Sequence, residues 1–380
     1  FKTFGTSSIM VGDNATGTIS SANYNTGLGV DIFAALTEGD NNVAIGYQAL
    51  DAVTTAPNNI GIGSNAGGSL NTGGYNIAIG VDALKTSTTT TANVAVGERA
   101  LEDCTGEQNT ALGAHTLREN TSASNNTAVG YFALGENTTG TANVAVGHSA
   151  LNADASSSYN VAIGKDALTN NTADRNTAVG YEAGRDNTSG TKNVFVGYGC
   201  GNEVTSGGDN TFMGDNAGTN VTTGNDNTFI GKGAGDNVTD SSNHTCVGAN
   251  VQPAYTTGSS GELGFGHNFS TNGTGYFTVG VGSSRGYYLY GSTNGFTAVS
   301  DERLKETIAD STVGLSFIND LKPRTFKWKK YGDIPSDMPQ YVEGSTTRHL
   351  DKETTQLGLI AQEVKTVIDN HSEVPDGFGG

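Results

Sequence analysis

The residues best suited to chemistry stand together in one short stretch, AVSDERLKETI, at residues 298–308. Ser300 offers a hydroxyl that becomes a nucleophile when a neighbouring base takes its proton. Lys305 follows five residues later, and an amine of this kind serves as a base only if burial or positive neighbours lower its pKa toward neutrality. A loop serine and a helical lysine at this spacing can fold back on each other. On spacing alone, a solvated helix lysine paired with Asp301 or Glu302 is the better interpretation.

Paired carboxylates that hydrolyse glycosides are a second possible chemistry. The acidic residues that are candidates for this chemistry stand mostly in Gly-Asp-Asn stretches, where capping of a turn by the side chain explains them better. The residues concerned are Asp40, Asp209, Asp215, Asp226 and Asp236.

Neither a metal nor a cofactor is expected. The three cysteines, Cys104, Cys200 and Cys246, are an odd number without CxxC spacing, so neither a disulfide framework nor a zinc site is supported. We expect them to be buried, unreactive thiols. The Gly-Asp-Asn stretches do not follow the GGxGxD nonapeptide of calcium-binding rolls, so no required calcium is predicted.

The elements that must position these residues differ in composition. Residues 1–299 carry 10 Lys+Arg and 24 Asp+Glu, whereas residues 300–380 carry 10 and 14, which places a domain junction near Ser300. The net charge of -18 argues against binding to nucleic acid or to anionic membranes, because both need a cationic surface. The sequence contains no run of about 18 apolar residues, so no transmembrane helix is predicted. The start at Phe1 has no signal pattern, and we expect the chain to be a piece of a longer protein.

The first part of the chain is a repeat. The motif NVAIG at residues 42–46 recurs as NIAIG, NVAVG and NTAVG, giving fifteen copies spaced by 17 or occasionally 16 residues. We call the last residue of each copy the closing glycine. The closing glycines are Gly12, Gly29, Gly46, Gly63, Gly80, Gly97, Gly113, Gly130, Gly147, Gly164, Gly180, Gly197, Gly214, Gly231 and Gly248.

Each position of the motif predicts a structural role. The residue before the closing glycine is always apolar, and the residue two earlier is always Val, Ile or Thr. Because side chains alternate along a strand, these two share a face, which we predict to point inward. Asn opens thirteen copies, where its amide would bond local backbone or stack as a ladder between coils.

A second pattern predicts how the core is filled. The fourth residue after the closing glycine is usually Leu in the first half of the repeat and Gly later. Where it becomes Gly, the Ala in the middle of the motif becomes Phe, as in Phe195 with Gly201, Phe212 with Gly218 and Phe229 with Gly235. Such an exchange of volume indicates that both positions fill one core layer. Phe195 could also fill the space beside Gly184, whereas Gly61 with Gly67 has no evident partner.

Short strands that cannot bury an apolar face alone can build a continuous core by stacking. The sequence therefore predicts an all-β fold for residues 1–299, built on a parallel β-solenoid of about fifteen 17-residue coils, which at about 4.8 Å per coil is roughly 70 Å long. Such a coil encloses little interior, so we expect neighbouring chains to share a core. NVAIG resembles the head repeat of trimeric autotransporter adhesins, also found in phage tail fibres, and this resemblance implies a homotrimer.

Aromatic residues crowd the stretch between the repeat and Ser300. Alternation in FTVGVG and YYLYG predicts strands separated by turns. Aromatic rings beside glycines could stack on sugars of a receptor, and packing against their own copies in a trimer neck is the alternative. The candidates for receptor binding are Tyr276, Tyr287, Tyr288 and Tyr290.

The stretch from Ser300 to Lys305 resembles the start of the intramolecular chaperone domain at the C-termini of phage tailspikes, endosialidases and tail fibres. Leu304 and Ile308 would begin a helix, LKPRTFKWKK at residues 321–330 matches the strand of that family, and LGLIAQEV at residues 357–364 matches its second block. The domains predicted are thus a solenoid shaft over 1–250, a β neck or tip over 251–299 and a small α+β chaperone domain over 300–380.

The resemblance implies a chemistry for the charged stretch. In that family the domain aligns and folds three chains and then cuts itself off between the Ser and Asp of its SDxxxK motif. Ser300 would be the nucleophile, Lys305 its base and Asp301 a residue that polarises or orients, with cleavage between Ser300 and Asp301.

The resulting hypothesis is a homotrimeric tail fibre or tailspike component of a phage. It would be extracellular on the virion, would bind other virion proteins and a host surface glycan or outer-surface protein, and would act as an enzyme at most by cutting itself. A surface adhesin of autotransporter type and a tailspike that depolymerises polysaccharide are the alternatives.

Overall fold

The computed structural model describes the repeat almost completely and parts of the C-terminal region. The described residues are 2–4, 7–12, 20–258, 261–271, 276–281, 284–290, 296–297, 319–326, 329–330, 333, 335, 343, 346, 356–358 and 360–370. The chain divides into two compact units, Phe1–Val299 and Ser300–Gly380, which are treated separately below.

The first unit is a parallel β-solenoid in which each coil contributes one short strand. The strands among the described residues are β1 (Lys2–Phe4), β2 (Ser8–Gly12), β3 (Thr26–Gly29), β4 (Val43–Ile45), β5 (Ile60–Ile62), β6 (Ile77–Ile79), β7 (Val94–Val96), β8 (Thr110–Leu112), β9 (Thr127–Val129), β10 (Val144–Val146), β11 (Val161–Ile163), β12 (Thr177–Val179), β13 (Val194–Val196), β14 (Thr211–Met213), β15 (Thr228–Ile230), β16 (Thr245–Val247), β17 (Val251–Gln252), β18 (Leu263–His267), β19 (Phe269–Ser270), β20 (Tyr276–Val281), β21 (Ser284–Tyr290), β22 (Phe296–Thr297), β23 (Arg324–Phe326) and β24 (Gln356–Gly358), followed by the helix α1 (Ala361–Asn370).

Equivalent residues of successive coils lie directly above one another. Val144 pairs with Val161, and Ala145 pairs with Ala162, in a parallel ladder that runs from β2 to β16. Coils of 16 residues keep the same register, as the pairing of Val94 with Thr110 shows. The sequence prediction of a parallel solenoid is confirmed.

The prediction that the two outer residues of each strand face inward is wrong. The middle residue is the buried one: Ala44, Ala145 and Phe212 are all 0% exposed, whereas the flanking Leu28 and Met213 are 52% and 43% exposed. The reason is the space inside the coil. Leucines of the following turn, such as Leu50 and Leu151, are fully buried and fill most of the interior. The strand can then contribute only a small residue inward, and its larger residues point outward.

The predicted exchange between Phe and Leu is confirmed, and the buried side chains of successive coils form one continuous core inside the solenoid. A Cβ placed on Gly201 would lie 2.4 Å from Phe195 Cδ1, and one on Gly184 would lie 2.4 Å from Phe195 Cδ2, so one ring covers both glycines. Gly61 and Gly67 are covered by Leu50 of the preceding coil, whose side chain would lie 2.7 Å from a Cβ at either position.

Asparagine side chains join the coils along one buried corner. The backbone N–H of Asn143 donates to Oδ1 of Asn126 at 2.9 Å, and that of Asn160 donates to Oδ1 of Asn143 at 2.9 Å. Each amide also reaches forward, as Asn143 Nδ2 donates to the Ser157 carbonyl at 2.8 Å. The predicted ladder at the corner is confirmed. In each rung between two Asn residues, a backbone N–H of one Asn is the donor and the side-chain Oδ1 of the Asn in the preceding coil is the acceptor. Ser8 accepts from the Asn25 N–H at 3.0 Å at the first rung.

The closing glycines are required by a close approach of backbone along the stack. Gly147 has φ of +137°, and a Cβ there would lie 2.4 Å from the carbonyl oxygen of Gly164 in the next coil. Any side chain at this position would push the coils apart. Leucines of the following turn also adopt a left-handed backbone, with φ of 52° at Leu50 and 50° at Leu151.

Parallel stacking continues beyond the last copy of the motif. β18 pairs with β16, and β20 pairs with β18, so that Gly266 and Gly280 are in register above Gly248. β21 then returns antiparallel to β20, and β22 pairs antiparallel with β21. The predicted strands of this stretch are present.

The described part of the second unit contains an antiparallel strand pair and a helix. β23 pairs with β24, placing Thr325 opposite Leu357, and α1 begins three residues after β24. Arg324 donates two hydrogen bonds to the Glu363 carboxylate, at 2.9 and 3.0 Å, and so links β23 to α1. The strand predicted in LKPRTFKWKK is present over residues 324–326. Among the described residues, no helix is long and apolar enough to cross a membrane.

Candidate interaction surfaces and the C-terminal segment

The three residues proposed for self-cleavage, Ser300, Asp301 and Lys305, lie outside the described residues. The four tyrosines proposed for receptor binding belong to β20 and β21. The register sets Tyr276 opposite Leu289, Tyr287 opposite Thr278 and Tyr288 opposite Phe277. Tyr290 is opposite Phe296 of β22. Their side chains lie outside the described part of the structure, so the assignment to a receptor site stays a prediction.

The solenoid has an apolar surface that sequence reasoning placed in the core. We define the outer face as the residues three and one before each of the fifteen closing glycines, from Ile9 and Val11 to Thr245 and Val247. All of these residues are at least partly exposed. The residue before the glycine is apolar in every coil, and exposures reach 40% at Val11, 47% at Leu112 and 40% at Ile163.

An exposed group of rings occupies the turn after the closing glycines in the middle of the stack. We call the following residues the aromatic patch: His115, Tyr131, Phe132, His148, Tyr181 and Tyr198. The rings of His115 and Phe132 stack with centroids 4.9 Å apart, and Tyr131 meets Phe132 edge to face at 4.5 Å. The rings of Tyr181 and Tyr198 stack at 5.2 Å and are 11° from parallel.

Cations border the aromatic patch but are paired with acids. Lys165 Nζ lies 5.3 Å from the centre of the Tyr181 ring and 2.9 Å from Asp166 Oδ2. The hydrogen bond with Asp166 raises the pKa of Lys165, so its charge is retained. Arg185 pairs with Glu182 at 3.1 Å and with Asp186 at 2.6 Å. The patch is therefore aromatic and close to neutral, which suits a partner with apolar faces and hydroxyl groups.

Three of the described acids that were considered for glycoside hydrolysis bond amide groups of their surroundings. Asp40 Oδ1 accepts from the Asn23 N–H at 2.6 Å, Asp236 Oδ1 accepts from Gln252 Nε2 at 2.6 Å, and Asp215 accepts from Asn216 Nδ2 at 2.8 Å. Asp209 and Asp226 hold left-handed turn positions with φ of 56° and 57°. Asp209 and Asp226 thus stand in turns, whereas the contacts of Asp40 and Asp236 join neighbouring coils. Capping of the turns by these side chains stays a prediction.

One buried acid was missed from the sequence. Asp154 is 0% exposed and occupies an interior position held by Asn120, Asn137, Asn171 and Asn187 in neighbouring coils. Its Oδ1 accepts from the Ser157 N–H at 2.8 Å, and the Ser157 hydroxyl donates to Oδ2. Burial raises the pKa of Asp154. Alignment of the coils at the seventh residue after the closing glycine would have revealed this substitution.

The three cysteines are buried and free, as predicted. Burial raises the pKa of Cys104 to about 11 and that of Cys200 to about 12, and it raises the pKa of Cys246 as well. Thiols with such pKa values stay protonated near neutrality and react slowly.

Comparison with known proteins adds one finding for the second unit. Residues 300–373 match the family model described as the chaperone of endosialidase. No curated protein and no solved structure matches the chain. A parallel β-solenoid followed by a chaperone of this kind fits a protein of the tailspike or endosialidase type.

Proposed function

We propose that this chain is a homotrimeric structural and adhesive component of a phage tail fibre or tailspike, carried on the outside of the virion and used for host attachment. The observation that carries the proposal is the order of the two units in the sequence: a long parallel solenoid is followed by a segment that matches the chaperone of endosialidase. A solenoid is suited to presentation, because it is elongated and each coil contacts only its neighbours.

The chaperone segment meets a need created by the repeat. Coils of nearly identical sequence can slip against a neighbouring copy by one coil while keeping most contacts, so the repeat specifies register between chains poorly. A non-repetitive segment at one end would fix that register. Its removal after assembly would leave a fibre that cannot refold once unfolded and is therefore stable kinetically.

Removal would occur by hydrolysis of the bond between Ser300 and Asp301. Ser300 would act as the nucleophile: its Oγ forms a bond to the carbonyl carbon of the scissile peptide while neutral Lys305 accepts the hydroxyl proton and Asp301 orients the group. The C–N bond then breaks, and the proton passes from Lys305 to the new Asp301 amine. Water hydrolyses the resulting ester, which restores the Ser300 hydroxyl and leaves the Ser300 carboxylate. This assignment comes from the match of the SDxxxK motif.

Mass spectrometry of freshly produced protein tests the cleavage. The expected result is a chain ending at Ser300, with only the full chain in Ser300→Ala and in Lys305→Ala. Glu306→Ala, a change in the same stretch outside the motif, should be cut normally. A single uncut species from the unaltered sequence would refute the cleavage but not the chaperone role, which native mass spectrometry tests separately through the trimer.

For host attachment we propose the aromatic patch as the receptor surface. Exposed aromatic rings of this kind are typical of binding sites, because they offer a large contact area with few rotatable bonds. The neutral character of the patch favours the sugars of a surface glycan over an anionic polymer. The depolymerase alternative gains no support from the acids, whose described contacts are with amide and amine groups. Incubation with host capsule would test it, since a depolymerase releases oligosaccharides and a binder does not.

A further inference from the structure

The outer face is a continuous uncharged surface on an acidic protein. None of its thirty side chains is charged: the residue before the closing glycine is always apolar, and the residue two earlier is Val or Ile in eight coils and Thr in seven. The rest of residues 1–299 carries 24 Asp+Glu and 10 Lys+Arg. A surface that only contacts solvent has no need to stay uncharged over fifteen coils, so the uncharged stripe indicates another role.

We propose that the outer face is the surface through which copies of this chain associate, in parallel and in register, each turning the face toward a common axis. The proposal rests on the homotrimer proposed above and assigns the residues that hold it together. The sequence prediction placed the apolar residues of this face inside each coil. In the proposed assembly they form the core that is shared between chains.

The size of the face fits such an interface. Fifteen strands about 4.8 Å apart and three residues of about 3.3 Å wide cover about 700 Å². Specific interfaces bury about 800 Å² on each partner, whereas exposed apolar patches on monomers rarely exceed a few hundred Å². A surface of this area left in water would be an aggregation hazard.

The chemistry of the face selects another copy over other partners. It lacks the cations that an anionic membrane or nucleic acid would require. It also lacks aromatic rings and amides, the groups of the aromatic patch that suit a glycan. A second copy supplies a face of the same composition and the same spacing between coils, so the Val and Ile side chains of one chain can pack between those of the other along the whole stack.

Cysteine substitution in the full chain tests the proposal. In Val146→Cys, equivalent side chains of neighbouring copies would meet near the axis, so we expect a disulfide or a short bismaleimide to join two chains and labelling by a bulky maleimide to be lost until the protein is unfolded. Thr139→Cys lies on an exposed turn. It should be labelled freely and should not cross-link. The native cysteines are buried, so in the folded protein they should react with neither the maleimide nor the cross-linker.

The outcomes separate this inference from the proposed function. A trimer in which Val146→Cys is freely labelled and does not cross-link would overturn the inference and leave the proposed function standing. A monomeric chain by native mass spectrometry would overturn both. Val146→Arg should shift the trimer toward monomer while Thr139→Arg does not, and an intact trimer with folded Val146→Arg would likewise contradict the inference.

Discussion

The ring of Phe212 lies over the α-carbon of Gly218, six residues further along the same coil. A Cβ on Gly218 would lie 2.6 Å from Phe212 Cδ2, and the ring itself is fully buried. In coils nearer the N-terminus the same two positions hold Ala and Leu, as in Ala145 and Leu151, which are also fully buried. One volume of the interior is thus filled from the strand in some coils and from the turn in others.

This relationship predicts a compensating pair of substitutions. Phe212→Ala should lower the free energy of unfolding by about 3–5 kcal/mol through the cavity that it leaves. Gly218→Leu should lower it by about 1–3 kcal/mol, because the new side chain meets the ring. The double variant should recover most of the loss, since it recreates the Ala and Leu arrangement and Gly218 already has φ of +58°, close to the 50° of Leu151.

Chemical or thermal unfolding of the four proteins measures the coupling between the two sites. Met213→Leu, a change of similar volume on the outer face, serves as the control and should have little effect on stability. Additive losses in the double variant would show that the two positions do not share one layer.

The sequence predicts most of the solenoid, because a repeat reports each position fifteen times. The period, the strand, the closing glycine, the Asn corner and the exchange of Phe with Leu are all visible in it. The sequence does not show which face of each strand points inward, because alternation determines which residues share a face without determining which face is the core. Ala44 carries a weak apolar signal beside Val43 and Ile45, yet it is the residue that fits inside. The exchange of Phe212 with Gly218 indicates which face is the core, because a larger residue at one position is compensated by a smaller one at another only where both lie in the interior.

The candidate surfaces were less predictable. Tyr181 and Tyr198 occupy a turn position that holds Tyr in two other coils and Asp, Val, Ser, Glu, Ala, His or Lys in the rest, so the repeat gives no consistent signal there. Their stacking becomes evident only when the coils are placed above one another. The prediction that Ser300 is a nucleophile depends on the family motif and not on the spacing between Ser300 and Lys305.

The Asn corner should be sensitive to truncation in the middle of the stack. Asn143→Ala removes the acceptor of the Asn160 N–H and the donor to the Ser157 carbonyl, leaving two buried groups unpaired. We expect a loss of about 1–3 kcal/mol for each group, measured by unfolding, with faster hydrogen exchange at the Asn160 amide.

Asn143→Ser is the matched control for this experiment. Ser8 accepts from the Asn25 N–H at the first rung, so a serine at 143 should keep one of the two bonds and lose less stability than alanine. Equal losses for alanine and serine would contradict the role assigned to the ladder.

Asp154 should make stability depend on pH. Because burial raises the pKa of this acid in the folded state, the protonated form is favoured there, and the unfolded chain has the ordinary value near 3.9. The stability associated with the protonated form is fully present below that ordinary pKa and is lost as pH rises through the raised folded value. At pH 7 the buried charge therefore destabilises the coil.

Asp154→Asn should raise the melting temperature at pH 7, since Asn137 holds the equivalent position one coil earlier and bonds the Gly140 N–H and carbonyl. The gain should shrink as the pH is lowered toward 4, where Asp154 itself becomes neutral. Melting curves between pH 4 and pH 8 measure it. A gain that is the same at every pH would assign the effect to packing and not to charge.

The aromatic patch should contribute to attachment. Tyr198→Ala combined with Tyr181→Ala removes the stacked pair, and loss of central aromatic contacts commonly costs about 2 kcal/mol or more, which corresponds to roughly 30-fold weaker binding. The measurement is retention of the assembled protein on host cells. Tyr75→Ala is the control, because Tyr75 is more exposed, at 66%, and lies outside the patch. Equal retention of the three proteins would exclude the patch as the receptor surface.

The chaperone segment should be needed for assembly and dispensable afterwards. A chain truncated at Ser300 before folding keeps every coil but lacks the segment that sets register, so we expect it to form aggregates or chains displaced by whole coils. Truncation at the same bond after folding, by self-cleavage or by a protease site inserted there, should leave the trimer intact. The chain truncated before folding and the self-cleaved chain have the same sequence, so any difference between them is kinetic. Where a protease site is inserted, the chain truncated before folding should end in the same residues as the cut product. Light scattering and the pattern of Val146→Cys cross-links distinguish aligned from displaced chains. Correct trimers from the pre-truncated chain would show that the coils set their own register and that the C-terminal segment has another purpose.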